Sequence, residues 1–145
     1  MTSSNERPIL YVEDNEDDVT TLRYALFKNG FANPFHAVNS GEDALSYLQG
    51  EGKYADRRHY PMPYVLLLDI NLPVRSGWDI LRWVRSRPEV ASMIVLMIGG
   101  SGTEYEHEMA QRLGANGYHM KAFDRQQFND LAVRIGQFWL IGRAA

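Results

Sequence analysis

Apolar residues in this chain follow two alternating patterns. Short unbroken runs at Ile9–Val12, Tyr64–Leu68 and Met93–Ile98 are separated by stretches where apolar positions return every three or four residues. An unbroken run of this length suits a strand covered on both faces, whereas the spaced pattern suits a helix with one buried side. Ile9–Val12 therefore reads as a first strand, followed by a helix carrying Val19, Leu22 and Leu26 that Gly30 stops. Phe35–Val38 is a weaker strand. Ser40 stands where an N-cap is needed, ahead of Ala44, Leu45 and Leu48, and Gly50 closes that helix. Residues 51–63, polar and with two prolines at the end, predict a long surface connection.

The run Tyr64–Leu68 is apolar at every position and predicts a central strand with Asp69 at its C-terminal end. A third helix follows Gly77, with Ile80, Leu81 and Val84 inward. Met93–Ile98 predicts strand four, and Gly99-Gly100-Ser101-Gly102 the turn into a helix with Met109, Ala110 and Leu113. Gly117–Met120 reads as a short fifth strand. Phe128, Leu131, Ala132, Ile135, Phe138 and Trp139 mark the buried stripe of a last helix. Five strand-then-helix units predict an α/β fold, (βα)5, with a five-stranded parallel sheet, right-handed crossovers and helices on both faces. A length of 145 residues suits one domain over 1–145, with a polar tail at 1–7.

Composition narrows the chemistry. A net charge of -3 supplies no broad basic field, and the short clusters Arg82, Arg85, Arg87 and Arg57-Arg58-His59 read as solvated or partner-facing, so no nucleic acid is expected. Without cysteine there is no disulfide frame, thiol nucleophile or Cys-ligated zinc. His36, His59, His107 and His119 show no ligand spacing and read as structural or exposed. No apolar run approaches the roughly 20 residues that span a bilayer, and the polar start is no signal peptide; a cytoplasmic location with no membrane partner is the expectation.

In parallel α/β sheets, ligands bind beyond the carboxyl ends of the strands at the topological switch point. Those ends carry Glu13-Asp14, Asp69, Gly99-Gly100 and Lys121. Crowded carboxylates raise one another's pKa unless a cation neutralises them. Mg²⁺ suits such a site, since it takes oxygen ligands and favours one or two carboxylates plus a phosphate. An aspartate beside it can attack phosphorus and form an acyl phosphate, with the metal and Lys121 offsetting the transferring charge. Taken alone, Glu13 to Asp18 could equally be an acidic helix start; the acid and lysine at the other strand ends favour the site.

These residues resemble the receiver domains of two-component response regulators. Glu13-Asp14 matches that family's acidic pair, and Asp69, Pro73 and Gly77 match its phosphoacceptor loop. Lys121 falls at the family's lysine, with Tyr118 at the aromatic switch position three residues earlier. The resemblance implies the flavodoxin-like arrangement of (βα)5. It implies Asp69 as phosphoacceptor, with Glu13, Asp14, Asp69 and the Asn71 carbonyl around Mg²⁺. Lys121, with Gly100 and Asn71, would meet the phosphoryl group. The partner it implies is a histidine kinase; catalysis would be limited to slow self-phosphorylation from phosphodonors and self-dephosphorylation. The connection over 51–63 and the Phe138-Trp139-Leu140 ending further resemble stand-alone regulators of bacterial phytochrome kinases, which signal by protein contact. Any exposed remainder of the last stripe would serve a homodimer.

Two departures stand out. Gly99 occupies the position where the family has a Thr or Ser hydroxyl that draws the switch aromatic inward, and Ala122 replaces the proline that commonly follows the lysine. A glycine offers no hydroxyl and more conformations to lose, which weakens the expected coupling. The alternative is thus a pseudo-receiver, an interaction module with impaired switching. A flavodoxin-like nucleotide binder shares the architecture, but Glu13-Asp14 would repel its phosphate.

Overall fold

The unbroken apolar runs lie side by side. The computed structural model describes residues 7–121 and 124–144, with side chains as far as residue 138. Its elements are β1 (Ile9–Val12), α1 (Glu16–Lys28), β2 (Phe35–Val38), α2 (Gly41–Gln49), β3 (Val65–Asp69), α3 (Gly77–Ser86), β4 (Ile94–Gly99), α4 (Glu104–Arg112), β5 (Gly117–Met120) and α5 (Arg125–Ala144). The strands form one parallel sheet in the order β2-β1-β3-β4-β5. The chain reverses its winding at β1 and β3, whose carboxyl ends are neighbours: Val12 pairs with Leu68, which sets Glu13 beside Asp69.

Alternation along the strands divides the interior into two layers. Leu10, Val12, Leu66, Leu68, Val95 and Met97 face α2 and α3, meeting Ala44, Leu48, Ile80 and Val84. Ile9, Tyr11, Val65, Leu67, Leu96 and Ile98 face α1 and α5, meeting Leu22, Leu26, Leu131 and Ile135. Helix starts follow local chemistry. The side chains of Asn15, Ser40, Ser76 and Thr103 each accept from the backbone N–H three residues on, satisfying a donor the helix leaves free.

The connection over 51–63 is not the plain surface loop its polarity predicts. It contains a 3-10 turn at Gly52–Ala55, and Tyr54 is buried. Tyr54 packs on Tyr47 and Tyr60 with ring centroids 4.9 and 5.0 Å away, and His36 on Tyr60 at 5.2 Å. The Arg57 guanidinium donates to the carbonyls of Tyr47 (2.7 Å), Leu48 (2.9 Å) and Tyr60 (3.1 Å), closing the end of α2. Arg85, also expected in solvent, donates to Gly114 O (2.8 Å), Met93 O (2.8 Å) and Asn116 Oδ1 (2.9 Å). Tyrosine and arginine score as polar, yet their rings and stems pack while their polar ends reach a carbonyl.

The loop from Asp69 to α3 is held tightly. Gly77 N–H donates to Ile70 O (3.0 Å), and any side-chain carbon at 77 would collide with the Asp69 carbonyl oxygen. Val74, at the tip, has φ 68° and is fully exposed, a left-handed conformation that a β-branched residue adopts under strain. Val74→Gly should therefore raise stability by about 0.5–1 kcal/mol, since relief of roughly 1–2 kcal/mol exceeds the added chain entropy. Urea denaturation measures it, and a loss of stability would mean that the loop needs the valine side chain.

Candidate functional site

Glu13 and Asp69 are carried past the ends of adjacent central strands and are both buried; Asp14, between the sheet and α1, is exposed. One carboxylate oxygen from each of the three lies within 4.8 Å of the others. Asp69 Oδ1 accepts from Asn71 N–H (2.9 Å), which fixes the carboxylate plane. From β5, Lys121 is anchored by its backbone N–H to Gly99 O (2.7 Å). Its ammonium donates to Glu13 Oε1, meets Asp18 Oδ2 at 2.6 Å, and stands 3.5 Å from Asp69 Oδ2. A cavity of about 460 Å³ opens beside these groups, lined by Asp18, Asp69, Asn71, Gly100, Lys121 and Arg125 among others.

The electrostatics are lopsided. Three carboxylates, of Glu13, Asp18 and Asp69, gather around one ammonium, and that of Asp14 stands beside Glu13 and Asp69. Burial, followed by the Asp69 carboxylate, pushes the Glu13 carboxyl above its ordinary value, while Lys121 pulls the other way. Burial lowers Lys121, but Asp18, Glu13 and Asp69 outweigh it and hold the ammonium above the usual lysine range. Glu13 Oε2 is buried with no hydrogen-bond partner among the described residues. Residual negative charge and clustered hard oxygens, one from each of Glu13, Asp14 and Asp69, fit a small divalent cation such as Mg²⁺.

Residues 9–132 match the response regulator receiver domain family. The chain belongs to that family. Response regulator Rcp1 of Synechocystis sp. is 26% identical over 138 residues, covering 95% of this receiver and 92% of its own length. The structure of the phosphorylated cyanobacterial phytochrome response regulator RcpA superimposes with a TM-score of 0.83 at 30% identity, covering 93% of this chain and 94% of that one. The Mn(2+)-bound form of Rcp1 gives 0.80 at 26% identity over 92% and 94% of the two chains. The bacteriophytochrome response regulator RtBRR gives 0.75 at 34% identity over 89% and 76%. The flavodoxin-like (βα)5 fold expected from the sequence is the fold of this receiver.

Glu13, Asp14, Asp69 and Lys121 lie together at the strand ends of the receiver; Asn71, which the resemblance supplied, donates its backbone N–H to Asp69, and Gly100 lines the cavity beside them. Asp18 was not singled out in the sequence. It reaches Lys121 from the first turn of α1, and its place in the acidic first turn just after the Glu13-Asp14 pair is the signal that could have marked it. Ala122 lies outside the described residues, as do the side chains of Trp139 and Leu140.

Gly99 requires a correction. It is not part of the turn but the buried last residue of β4, paired with Met120. A Cβ there would stand 2.5 Å from Tyr118 Oη, 2.5 Å from Glu106 Oε1 and 2.8 Å from Ile70 Cδ1. Tyr118 fills the space that a side chain would take: it is buried, donates to Glu106 (2.5 Å) and accepts from Gly102 N–H (3.1 Å). The His107 ring covers it at 4.2 Å. Far from leaving a loose loop, the glycine admits an inward tyrosine.

Proposed function

We propose that this receiver accepts a phosphoryl group from a histidine kinase onto Asp69 and signals by protein contact. The observation that carries the reading is the junction of Glu13, Asp14 and Asp69 with the Lys121 ammonium at the β1/β3 switch point. An Asp69 carboxylate oxygen would attack the phosphorus of a phosphohistidine; the new P–O bond forms as the P–N bond breaks, and the departing imidazole keeps the electron pair and takes a proton from water. Asn71 N–H holds the other oxygen of Asp69, which orients the attack. Lys121 moves from its carboxylates to a transferred oxygen, and Gly100, bare of a side chain, leaves room for it. Glu13, Asp14 and Asp69, with the Asn71 carbonyl, would hold Mg²⁺, which supplies positive charge against the transferring oxygens. Attack of water on the acyl phosphate returns the carboxylate and inorganic phosphate.

The names of RcpA and RtBRR support a phytochrome-type kinase as the donor. Among the described residues, no helix is long and apolar enough to cross a membrane. The test is incubation with Mg²⁺ and acetyl phosphate followed by mass measurement. One added phosphoryl group, mapped to Asp69 and missing in Asp69→Asn, is the expected result; no gain in the native chain refutes the reading.

A second reading draws on Tyr118. Its inward, hydrogen-bonded position, in space that the missing side chain of Gly99 leaves open, favours a pseudo-receiver whose contact face is set independently of Asp69. Partner affinity unchanged by phosphorylation would support that reading against the first.

A further inference from the structure

Tyr11 lies in β1 and Glu13 one residue past its end, where Glu13 N–H still donates to Val38 O (2.9 Å); two positions apart on extended chain, their side chains leave the same face of the sheet. Tyr11 is fully buried, its ring packed 6.4 Å from that of Phe35. Its hydroxyl has no hydrogen-bond partner among the described residues, and neither has Glu13 Oε2, on a side chain with no solvent exposure. Neither atom makes a hydrogen bond of good geometry, yet the Glu13 carboxylate acts on the Tyr11 phenol both as a charge and as a side-chain acceptor, so a buried donor and a buried acceptor lie within reach of each other without closing, which is rare in native interiors. A leucine or isoleucine in this layer would carry no such penalty.

The orphan pair matters because of what Lys121 must do. Its ammonium occupies Glu13 Oε1 and Asp18, and at 3.5 Å it is too far from Asp69 for a good hydrogen bond. To meet a phosphoryl group it leaves Glu13, whose carboxylate then has no donor on either oxygen. We propose that the Tyr11 hydroxyl is a positioning group, donating to Glu13 Oε2 and holding that carboxylate in place while Lys121 turns to the phosphoryl group on Asp69. The inference rests on the phosphotransfer reading. A phenol ionises near roughly 10 in water, so at neutral pH it is a donor. A neutral hydroxyl also suits the place better than a second ammonium, because it restrains Glu13 without cancelling the charge that attracts a cation.

Tyr11→Phe keeps the ring and removes one oxygen. The melting temperature without Mg²⁺ should be unchanged or higher. The rate of Asp69 phosphorylation at saturating Mg²⁺ should fall about tenfold, the loss of one hydrogen bond to a charged group, with the acetyl phosphate concentration at half-maximal rate unchanged. Mg²⁺ affinity by calorimetric titration should weaken several-fold. In a Glu13→Ala background, adding Tyr11→Phe should change neither quantity further. Equal rates and affinities in native and Tyr11→Phe protein would overturn the proposal, as would a repeat of the full loss on top of Glu13→Ala. A Tyr11→Phe protein that melts early or does not fold would show that the hydroxyl serves the fold, and would overturn it too. Should the native protein take up no phosphoryl group, the phosphotransfer reading fails, and the Mg²⁺ titration still decides whether Tyr11 positions Glu13.

Discussion

Gly99→Thr is expected to drive the Tyr118 ring out of the interior. The new Cβ would overlap Tyr118 Oη, Glu106 Oε1 and Ile70 Cδ1 at separations of 2.5–2.8 Å, closer than carbon tolerates. Ile70 is buried beneath the loop, whereas Tyr118 and Glu106 reach the position with the tips of rotatable side chains. The tyrosine therefore yields first. Overpacking of this kind costs about 1–3 kcal/mol, and urea denaturation should register it. Spectroscopic titration gives a second readout. Burial, with the Glu106 hydrogen bond, pushes the Tyr118 phenol up to about 12. Once solvated, it should ionise near the ordinary value of roughly 10. A threonine variant with unchanged stability and no new phenol ionising near 10 would show that the backbone of β4 gives way instead. If the ring does leave, the threonine hydroxyl becomes available to a phosphoryl oxygen, and Tyr118 should respond to phosphorylation in the variant more than in the native chain.

Lys121→Met should damage both stability and phosphotransfer. Removal of the ammonium leaves Glu13, Asp18 and Asp69 without their shared counter-ion, on a Glu13 side chain that has no solvent exposure. Breaking a buried pair from one side costs about 3 kcal/mol or more. The pH dependence has a definite sign. Glu13 has a folded pKa raised above its unfolded value of 4.5 by burial and by Asp69, and the lost Lys121 hydrogen bond was the influence lowering it. The folded variant thus binds a proton that the unfolded chain releases, a contribution fully present below the unfolded pKa and lost as pH rises through the folded one. The stability deficit should be largest near pH 8 and shrink towards pH 5, and Mg²⁺ should recover part of it at neutral pH. Phosphorylation of Asp69 should slow by about 10²–10³, the range for removing one preorganised electrostatic contact. Denaturant curves at several pH values check the first claim and timed mass measurement the second. A deficit equal at pH 5 and pH 8 would mean that Lys121 stabilises through its packing rather than its charge.

Strand-end chemistry was legible in the sequence because it is local. Glu13 and Asp69 follow directly on apolar runs and Lys121 on a short strand, and a parallel sheet brings such ends together whatever the details of packing. Helix caps were legible for the same reason, as Ser40 and Gly50 illustrate. What escaped notice depends on side chains meeting across the fold. The Tyr118–Glu106 bond spans 12 positions, and the Lys121–Asp18 pair links β5 to α1. Arg57 and Arg85 count as surface residues by polarity, yet both satisfy backbone carbonyls. Gly99 was misread most instructively. Next to three residues that do form a turn, it looked like loop, and only the pairing of β4 with β5 shows that its missing side chain is a space filled from another strand.

The Arg57 clamp ties the fate of one segment to that of another. A single guanidinium holds carbonyls in the last turn of α2 and in the loop at Tyr60, so the loop cannot peel away without fraying the helix. Residues 51–63 would then open as one cooperative unit with α2. Amide hydrogens of Tyr54 and Tyr60, bonded to Glu51 O and Asp56 O, would exchange with solvent at the pace of the helix end, and a protease would find no independently accessible tether there.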